Sequence, residues 1–292
     1  MTKILVTGSE GLIGKDIVDK FQKKGFEVIE FDIINGFDVL DLSSLKNSVK
    51  DADGVIHLAA ATRVVTGYKD PYNAVQKNII GTTNVLESIR EINPKCWMIY
   101  ASSREVYGEG GTNVKESDPI NPINVYGATK AGAELITLTY GSNYNLNTFV
   151  VRFSNVYGAI NDHKDRVIPR FVKQALTNSD ITVYGGKQKF DFIHLHDVTD
   201  GLIVLVEKII EGQKLLHRTF HFVSGQATTL MELVEQLIKI TNSKSTIKYF
   251  PERTYDVNTF VGDPTRTQEI LGWNTKISLE KGLSMYVDLI KI

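Results

Sequence analysis

A chain of 292 residues, 23% charged and 42% hydrophobic, has the composition of a globular protein built as one large domain or two closely joined ones. Its net charge of −1 supplies no field that would draw it to nucleic acid or to an acidic membrane surface, which leaves a small molecule or another copy of itself as partner. The single cysteine, Cys96, excludes an internal disulfide, argues against a zinc cluster and suits a reducing compartment.

No metal site is expected. No apolar run approaches the ~20 residues of a bilayer span, and the start "MTKILVTGSEG" turns glycine-rich too early for a signal peptide. A cytoplasmic protein is expected.

In chain order, "KILVTG" reads as a buried strand, "LIGKDIVDKFQKKG" as a helix stopped at Gly25, and "FEVIEFD" as a second strand. "DGVIHLAA" is a third strand ending in small residues. "YNAVQKNIIGTTNVLESIREINP" reads as one long helix stopped near Pro94. "CWMIYASS" is the next strand, "VYGATKAGAELITLTYGSNY" another helix, and "NTFVVRFSNVYG" a further single strand. This alternation predicts an α/β fold, a doubly wound parallel sheet covered on both faces. After about Tyr157 the pattern becomes irregular, until "HDVTDGLIVLVEKII" and "LMELVEQLIKITN" read as helices of a smaller lobe.

"VTGSEGLIG" sets Gly8, Gly11 and Gly14 between the first strand and the first helix. Glycine permits the tight turn and a close backbone approach to a pyrophosphate, and the helix start offers free N–H groups. Asp32 ends the second strand and can accept from adenosine ribose hydroxyls while repelling a 2′-phosphate. No arginine follows it, which favours NAD over NADP. Asp41 either reaches the adenine edge or caps the helix in "SSLKNSV".

"YGATK" puts Tyr126 and Lys130 one helical turn apart on one face. A phenol titrates near ~10, so a nearby ammonium is needed to favour the phenolate. Tyr126 can then take a proton from a sugar or alcohol hydroxyl while hydride leaves the same carbon. The "ASS" at the end of the preceding strand offers a hydroxyl to share that oxygen.

Together "TGSEGLIG", Asp32, "HLAA", "NIIGTTNVLES", "SSREVYG", "YGATKAGAE", "RFSNVYG", "DFIHLHDVTDG" and "LGW" make the chain resemble the extended short-chain dehydrogenase/reductase family. These are the NAD-dependent nucleotide-sugar epimerases and dehydratases. The resemblance implies a Rossmann-type NAD-binding domain at 1–158, rejoined by segments near 191–224, and a substrate lobe from 159–190 and 225–292. It implies that Ser103 and Tyr126 bind and deprotonate a sugar 4-hydroxyl, with Lys130 holding the nicotinamide ribose and lowering the tyrosine pKa. Gly8, Gly11, Gly14, Asp32, Asp41 and Asn78 would line the cofactor, with Ala59 and Ala60 close by. Asn155 would meet the substrate diphosphate, Tyr184 the nucleotide base, and Arg253 would serve as a phosphate anchor. Phe190 stands where many relatives carry another such arginine. A homodimer through the helices holding Asn78–Glu91 and Tyr126–Tyr140 is implied as well.

Arg104 and Glu105 depart from the relatives in an informative way. An acid–acid pair there marks dTDP-glucose 4,6-dehydratases, and Arg104 breaks it; UDP-glucuronate decarboxylases keep only the glutamate. Glu105 is either a C5 acid/base or a partner of Arg104 facing the loop, and Arg104 would suit a substrate carboxylate. The reading is 4-epimerisation of a UDP-hexose or UDP-hexuronic acid through a 4-keto intermediate. Its alternatives are a decarboxylase-like or other nucleotide-sugar dehydratase and a non-catalytic NAD-sensing regulator on the same fold.

Overall fold

The apolar runs of the first half become strands with both faces covered. In the computed structural model, which describes residues 1–252 and 257–291, six of them form one parallel sheet. Its order is Thr219–Phe222, Thr148–Phe153, Trp97–Ser103, Gly54–His57, Lys3–Thr7, Glu27–Phe31. Alternate side chains point to opposite faces. Ile4, Val6, Ile56, Ile99 and Val151 therefore meet Ile17, Phe21, Leu202 and Leu205 from helices Leu12–Lys23 and Leu195–Ile210. Leu5, Val55, Met98 and Val150 meet Leu45, Val85, Leu86 and Ala133 from the helices of the other face.

The chain leaves the first strand to one side for Glu27–Phe31 and returns to its other side at Gly54–His57. That reversal opens a crevice at the carboxyl ends of the strands, where an open α/β sheet binds its ligand.

Two elements differ from their sequence reading. The long helix is interrupted: Pro71–Val75 passes through a π turn, Gln76–Ile80, before Gly81–Ile92. There the Thr82 hydroxyl donates to the Asn78 carbonyl at 2.6 Å, competing with the main-chain ladder. "NTFVVRFSNVYG" is two strands rather than one. Ser154 donates its hydroxyl to buried Asp191 at 2.9 Å, and beyond it Asn155–Tyr157 pairs with Phe192–His194 outside the main sheet.

The remaining residues build a further apolar cluster around Phe171, Val183, Leu233 and Tyr286. A small sheet runs Thr228–Thr229, Lys189–Phe190, Thr259–Gly262, Gly111–Val114. Helix Leu230–Thr241 starts on a capping box, Thr229 with Glu232, and ends at Asn242 with φ +51°. Among the described residues no helix is long and apolar enough to cross a membrane.

Candidate active site

A cleft of about 910 Å³ opens over the carboxyl ends of the central strands and is lined from Gly8 to Val257. Its floor on one side is the glycine turn. Gly8 has φ +74°, and a Cβ there would lie 2.7 Å from the Ala59 amide nitrogen. A Cβ on Gly14 would overlap the Gly8 carbonyl, so the helix reaches this close to the turn only with glycine. Gly11 caps helix Leu12–Lys23 without a side-chain acceptor, and Ser9 Oγ is buried with no hydrogen-bond partner among the described residues. Ala59 and Ala60 line the facing wall.

Asp32 borders the same cleft, and its two carboxylate oxygens each accept one backbone N–H, from Glu10 and Ile34 at 3.0 Å. A carboxylate has about four acceptor positions, so capacity remains for ribose hydroxyls.

Two residues expected at the cofactor are not among those lining the cleft. Asp41 is the N-cap of Leu42–Val49, accepting from Ser43 N, Ser44 N and Ser44 Oγ, and it does not line the cleft. Asn78 is buried behind the wall. Its Oδ1 accepts from Ala61 N at 2.7 Å, and its Nδ2 donates to Ala61 O and Thr129 Oγ1. Through these bonds it fixes the 58–62 segment. At the wall itself are Asp38 and Lys77, paired at 2.5 Å. No spacing rule marks that pair, because it joins a loop to a helix thirty-nine positions away.

Ser103, Tyr126 and Lys130 are brought together. Strand Trp97–Ser103 delivers Ser103 to the same cleft wall as Tyr126, and its hydroxyl acts on the Tyr126 phenol to lower its pKa. Helix Val125–Asn143 presents Tyr126 and Lys130 on its cleft face. Burial pushes the phenol up to about 12; the Ser103 hydroxyl opposes this, the Glu105 charge adds to it, and Arg166 and Arg104 pull it down. Burial draws the Lys130 ammonium down to about 7, against the Glu134 carboxylate. Lys130 Nζ lies 4.4 Å from the centre of the Tyr100 ring.

Arg104, Glu105 and Asn155 form one connected group. Arg104 Nη2 meets Glu105 Oε1 at 2.8 Å, and its Nε donates to Asn155 Oδ1 at 3.2 Å. Glu105 Oε2 accepts from Asn124 Nδ2 at 2.8 Å. The Arg104 guanidinium carbon lies 5.0 Å from the centre of the Phe190 ring. Tyr184 lines the far end, 5.5 Å from Phe250 between ring centres. Arg253 lies outside the described residues.

Sequence reasoning missed Asn124, Arg166 and Asp191. Asn124 carried a readable signal, an N-cap residue just before a helix. Arg166 precedes helix Val167–Leu176, and the irregularity of that region concealed it. Asp191 accepts from Ser154, Ser224 and Gly225 and fixes Asn155 and Phe190 in place through contacts remote in sequence.

A paired hydroxyl and phenol beside a lysine and a dinucleotide-shaped turn can move a proton from an alcohol oxygen while its carbon is oxidised. The family model for the NAD dependent epimerase/dehydratase family matches residues 4–217. A putative UDP-glucose 4-epimerase of Methanocaldococcus jannaschii is 30% identical, over 99% of this chain and 98% of its own. UDP-glucose 4-epimerase of Thermotoga maritima, solved with UDP-glucose, superposes with a TM-score of 0.92 at 28% identity, covering 99% of both chains. UDP-glucuronic acid 4-epimerase of Bacillus cereus, solved with UDP-glucuronic acid and NAD, gives 0.90 at 25% identity, again over 99% of both.

Proposed function

The chain belongs to the NAD dependent epimerase/dehydratase family, and from that premise we propose that it is an NAD-dependent epimerase inverting C4 of a UDP-hexose or UDP-hexuronic acid through a 4-keto intermediate. The observation that carries this reading is the convergence of Ser103, Tyr126 and Lys130 on one wall of the cleft, with Tyr126 and Lys130 one helical turn apart.

The glycine turn, the uncapped helix start and Asp32 fit a dinucleotide. Bound NAD supplies the acceptor for the hydride that leaves the sugar carbon and is later returned to its other face. The protein's own task is proton handling and orientation. Ser103 and Tyr126 share the 4-hydroxyl, and Tyr126 takes its proton as the carbon is oxidised and gives it back after the keto sugar has turned over. The positive charges of Arg166 and Arg104, with that of the oxidised nicotinamide, favour the phenolate form. Lys130 holds the nicotinamide ribose. Asn155 faces the diphosphate and Tyr184 the base.

Glu105 is held by Arg104 and Asn124, which supports epimerisation over decarboxylation, a reaction that would need a free acid at C5. In this reading a dinucleotide-binding part, 1–158 with 191–224, faces a substrate part, 159–190 with 225–292. The membership of Thr219–Phe222 in the main sheet and the separate apolar cluster at Phe171 support that division. Exposed apolar side chains at Ile80, in the π turn that leads into Gly81–Ile92, and at Leu135, on Val125–Asn143, support a homodimer there. The single buried thiol, Cys96, supports a cytoplasmic setting.

Incubation of the NAD-loaded protein with UDP-glucose and UDP-glucuronate, followed by separation of the 4-epimers, tests the reading. Appearance of a galacto-configured product from either supports it. Release of CO2 without an epimer, or no conversion of either sugar, would remove it.

A further inference from the structure

Behind the cleft wall lies a buried acid that the epimerase reading does not use. Resting on that reading, we propose that Glu134, clamped by Arg152, is a positioning residue of the reaction: it ties the strand end that carries Ser103 to the helix that carries Tyr126 and Lys130, and it places a negative charge beside Lys130.

Glu134 follows Lys130 by four positions and Tyr126 by eight on helix Val125–Asn143, so the three lie along one side of it. Tyr126 and Lys130 line the cleft, whereas Glu134 is buried one turn further on and does not. Its carboxylate is fully engaged. Oε2 accepts the Ser102 hydroxyl at 2.7 Å, Arg152 Nε donates to both oxygens at 3.1 Å, and Arg152 Nη2 pairs with Oε1.

Arg152, on strand Thr148–Phe153, extends the clamp. Its Nη1 donates to the Tyr107 hydroxyl and, at 3.0 Å, to the Glu116 carbonyl. Tyr107 ends the short turn Arg104–Tyr107 that Ser103 caps. Ser103 is therefore held from both sides, through Ser102 before it and through Tyr107 after it. An apolar pair of similar volume would serve stability about as well as this buried ion pair. It could neither direct the Ser102 hydroxyl nor set a charge next to Lys130.

The titratable groups around Lys130 come from three elements. Strand Gly54–His57 contributes His57, which burial and the Lys130 charge keep neutral near pH 7. Strand Trp97–Ser103 contributes Tyr100, whose ring lies under Nζ and whose hydroxyl burial keeps protonated. The helix itself contributes Tyr126 and Glu134. Burial disfavours the ammonium, and the Glu134 carboxylate is the charge that opposes this. Arg152 is taken up by Glu134, Tyr107 and Glu116. Glu134 thus extends the pH range over which Lys130 remains a cation and a full hydrogen-bond donor.

The test compares NAD-loaded wild type, Glu134→Gln and Glu134→Asp by two readouts. One is kcat and KM for a UDP-sugar that wild type converts. The other is the titration of Lys130, followed through the Cε signal of 13C-labelled lysine and assigned with Lys130→Arg. Glu134→Gln keeps an acceptor for Ser102 and removes the charge, so the Lys130 midpoint should fall by about one pH unit. Its kcat should fall by about 10- to 100-fold, the scale of a misplaced reacting group, with KM changed by less than about 3-fold. Glu134→Asp keeps the charge on a shorter arm and should lie between on both readouts.

Glu134→Gln leaves the buried Arg152 charge uncompensated. Where that variant does not fold, Glu134→Gln/Arg152→Met removes both charges together and is read in its place, with the same direction expected. A folded variant with wild-type kcat, or one whose Lys130 midpoint has not moved, overturns the proposal and leaves Glu134 a core ion pair. Where wild type converts no UDP-sugar, the epimerase reading fails and the titration, which needs no turnover, alone decides whether Glu134 governs Lys130.

Discussion

Asn124 joins the two halves of the reacting group. Its Oδ1 accepts from Gly127 N at 2.8 Å, capping the helix that carries Tyr126 and Lys130, and its Nδ2 donates to Glu105 Oε2 at 2.8 Å. One side chain therefore sets the helix start against the strand end that carries Ser103. A Cβ on Gly127 would run into the Glu105 carbonyl, which shows how closely the two are packed.

Asn124→Ala should cost about 1 kcal/mol of stability, as loss of an N-cap does. It should also lower turnover beyond what that loss explains, because Tyr126 loses its alignment with Ser103. Asn124→Asp, which can still accept from Gly127 N, should recover the cap and the melting temperature but place a second acid against Glu105 and leave turnover low. Full activity in both variants would make Asn124 a helix cap alone.

Tyr126→Phe keeps the ring and removes only the oxygen that shares the cleft wall with Ser103. Turnover should fall by about 10²- to 10⁴-fold, the usual contribution of a general acid–base group. NAD affinity and melting temperature should stay near those of wild type. A Phe variant with undiminished turnover would assign the proton transfer to another group.

Asp32 should make the protein prefer NAD to NADP. Its carboxylate sits at the end of Glu27–Phe31 and repels a 2′-phosphate. Asp32→Asn keeps an acceptor and removes the charge, so the preference should narrow by at least several-fold in titrations with both cofactors. Tighter NADP binding by wild type would contradict the assignment.

The parts of this site that were legible in the sequence are those encoded locally. "KILVTG" and "CWMIYASS" read as buried strands because sheets covered on both faces need unbroken apolar runs. Gly8 and Gly14 were legible because a turn and a close helix leave no room for a side chain. Tyr126 and Lys130 share a face by helical period alone. What escaped depends on partners far along the chain. Asp41 has an acid's position in the pattern but spends both oxygens on its own helix start. Asn78 lies in a motif yet turns inward to Ala61 and Thr129. Asp191, Arg166 and the small sheet around Lys189–Phe190 are set by pairings that no short window contains.

Buried neutral histidines should make the protein acid-sensitive. Burial, aided by Arg152 and Arg266 and opposed by Asp263, brings His221 down to about 3; burial and Lys130 bring His57 to about 3. For such a group the unfolded chain binds a proton that the folded protein refuses. Stability is therefore full above about 6.5 and falls as the pH drops toward 3. Buried Asp191 and Glu116, whose carboxyls burial pushes up, take protons in the folded state and oppose this. The difference between His221→Gln and wild type isolates one histidine. Between pH 6 and 4 its unfolding free energy should depend on pH less steeply by close to one proton, about 1.4 kcal/mol per pH unit. An unchanged slope would mean that His221 is charged in the folded protein.

Glu105→Gln separates the two chemistries open to this fold. In a 4-epimerase the carboxylate takes no part in bond making; it holds Arg104 and accepts from Asn124. Glutamine can still accept from one of them through its amide oxygen, though its NH2 makes no bond to the other donor, and turnover should fall by less than about 10-fold. In an enzyme that works at C5 the same change removes a proton carrier and should cost about 100-fold or more. The bonds of Glu105 in this structure already use both of its oxygens, one on each partner, and Ser103 accepts its backbone N–H at 3.2 Å. A residue held in this way at three points is placed as a support. The expected result is therefore a mild loss in epimer formation, no CO2, and a melting temperature lowered slightly by the weaker hold on Arg104. A severe loss in a variant that binds NAD and melts like wild type would move Glu105 into the chemistry and favour decarboxylation.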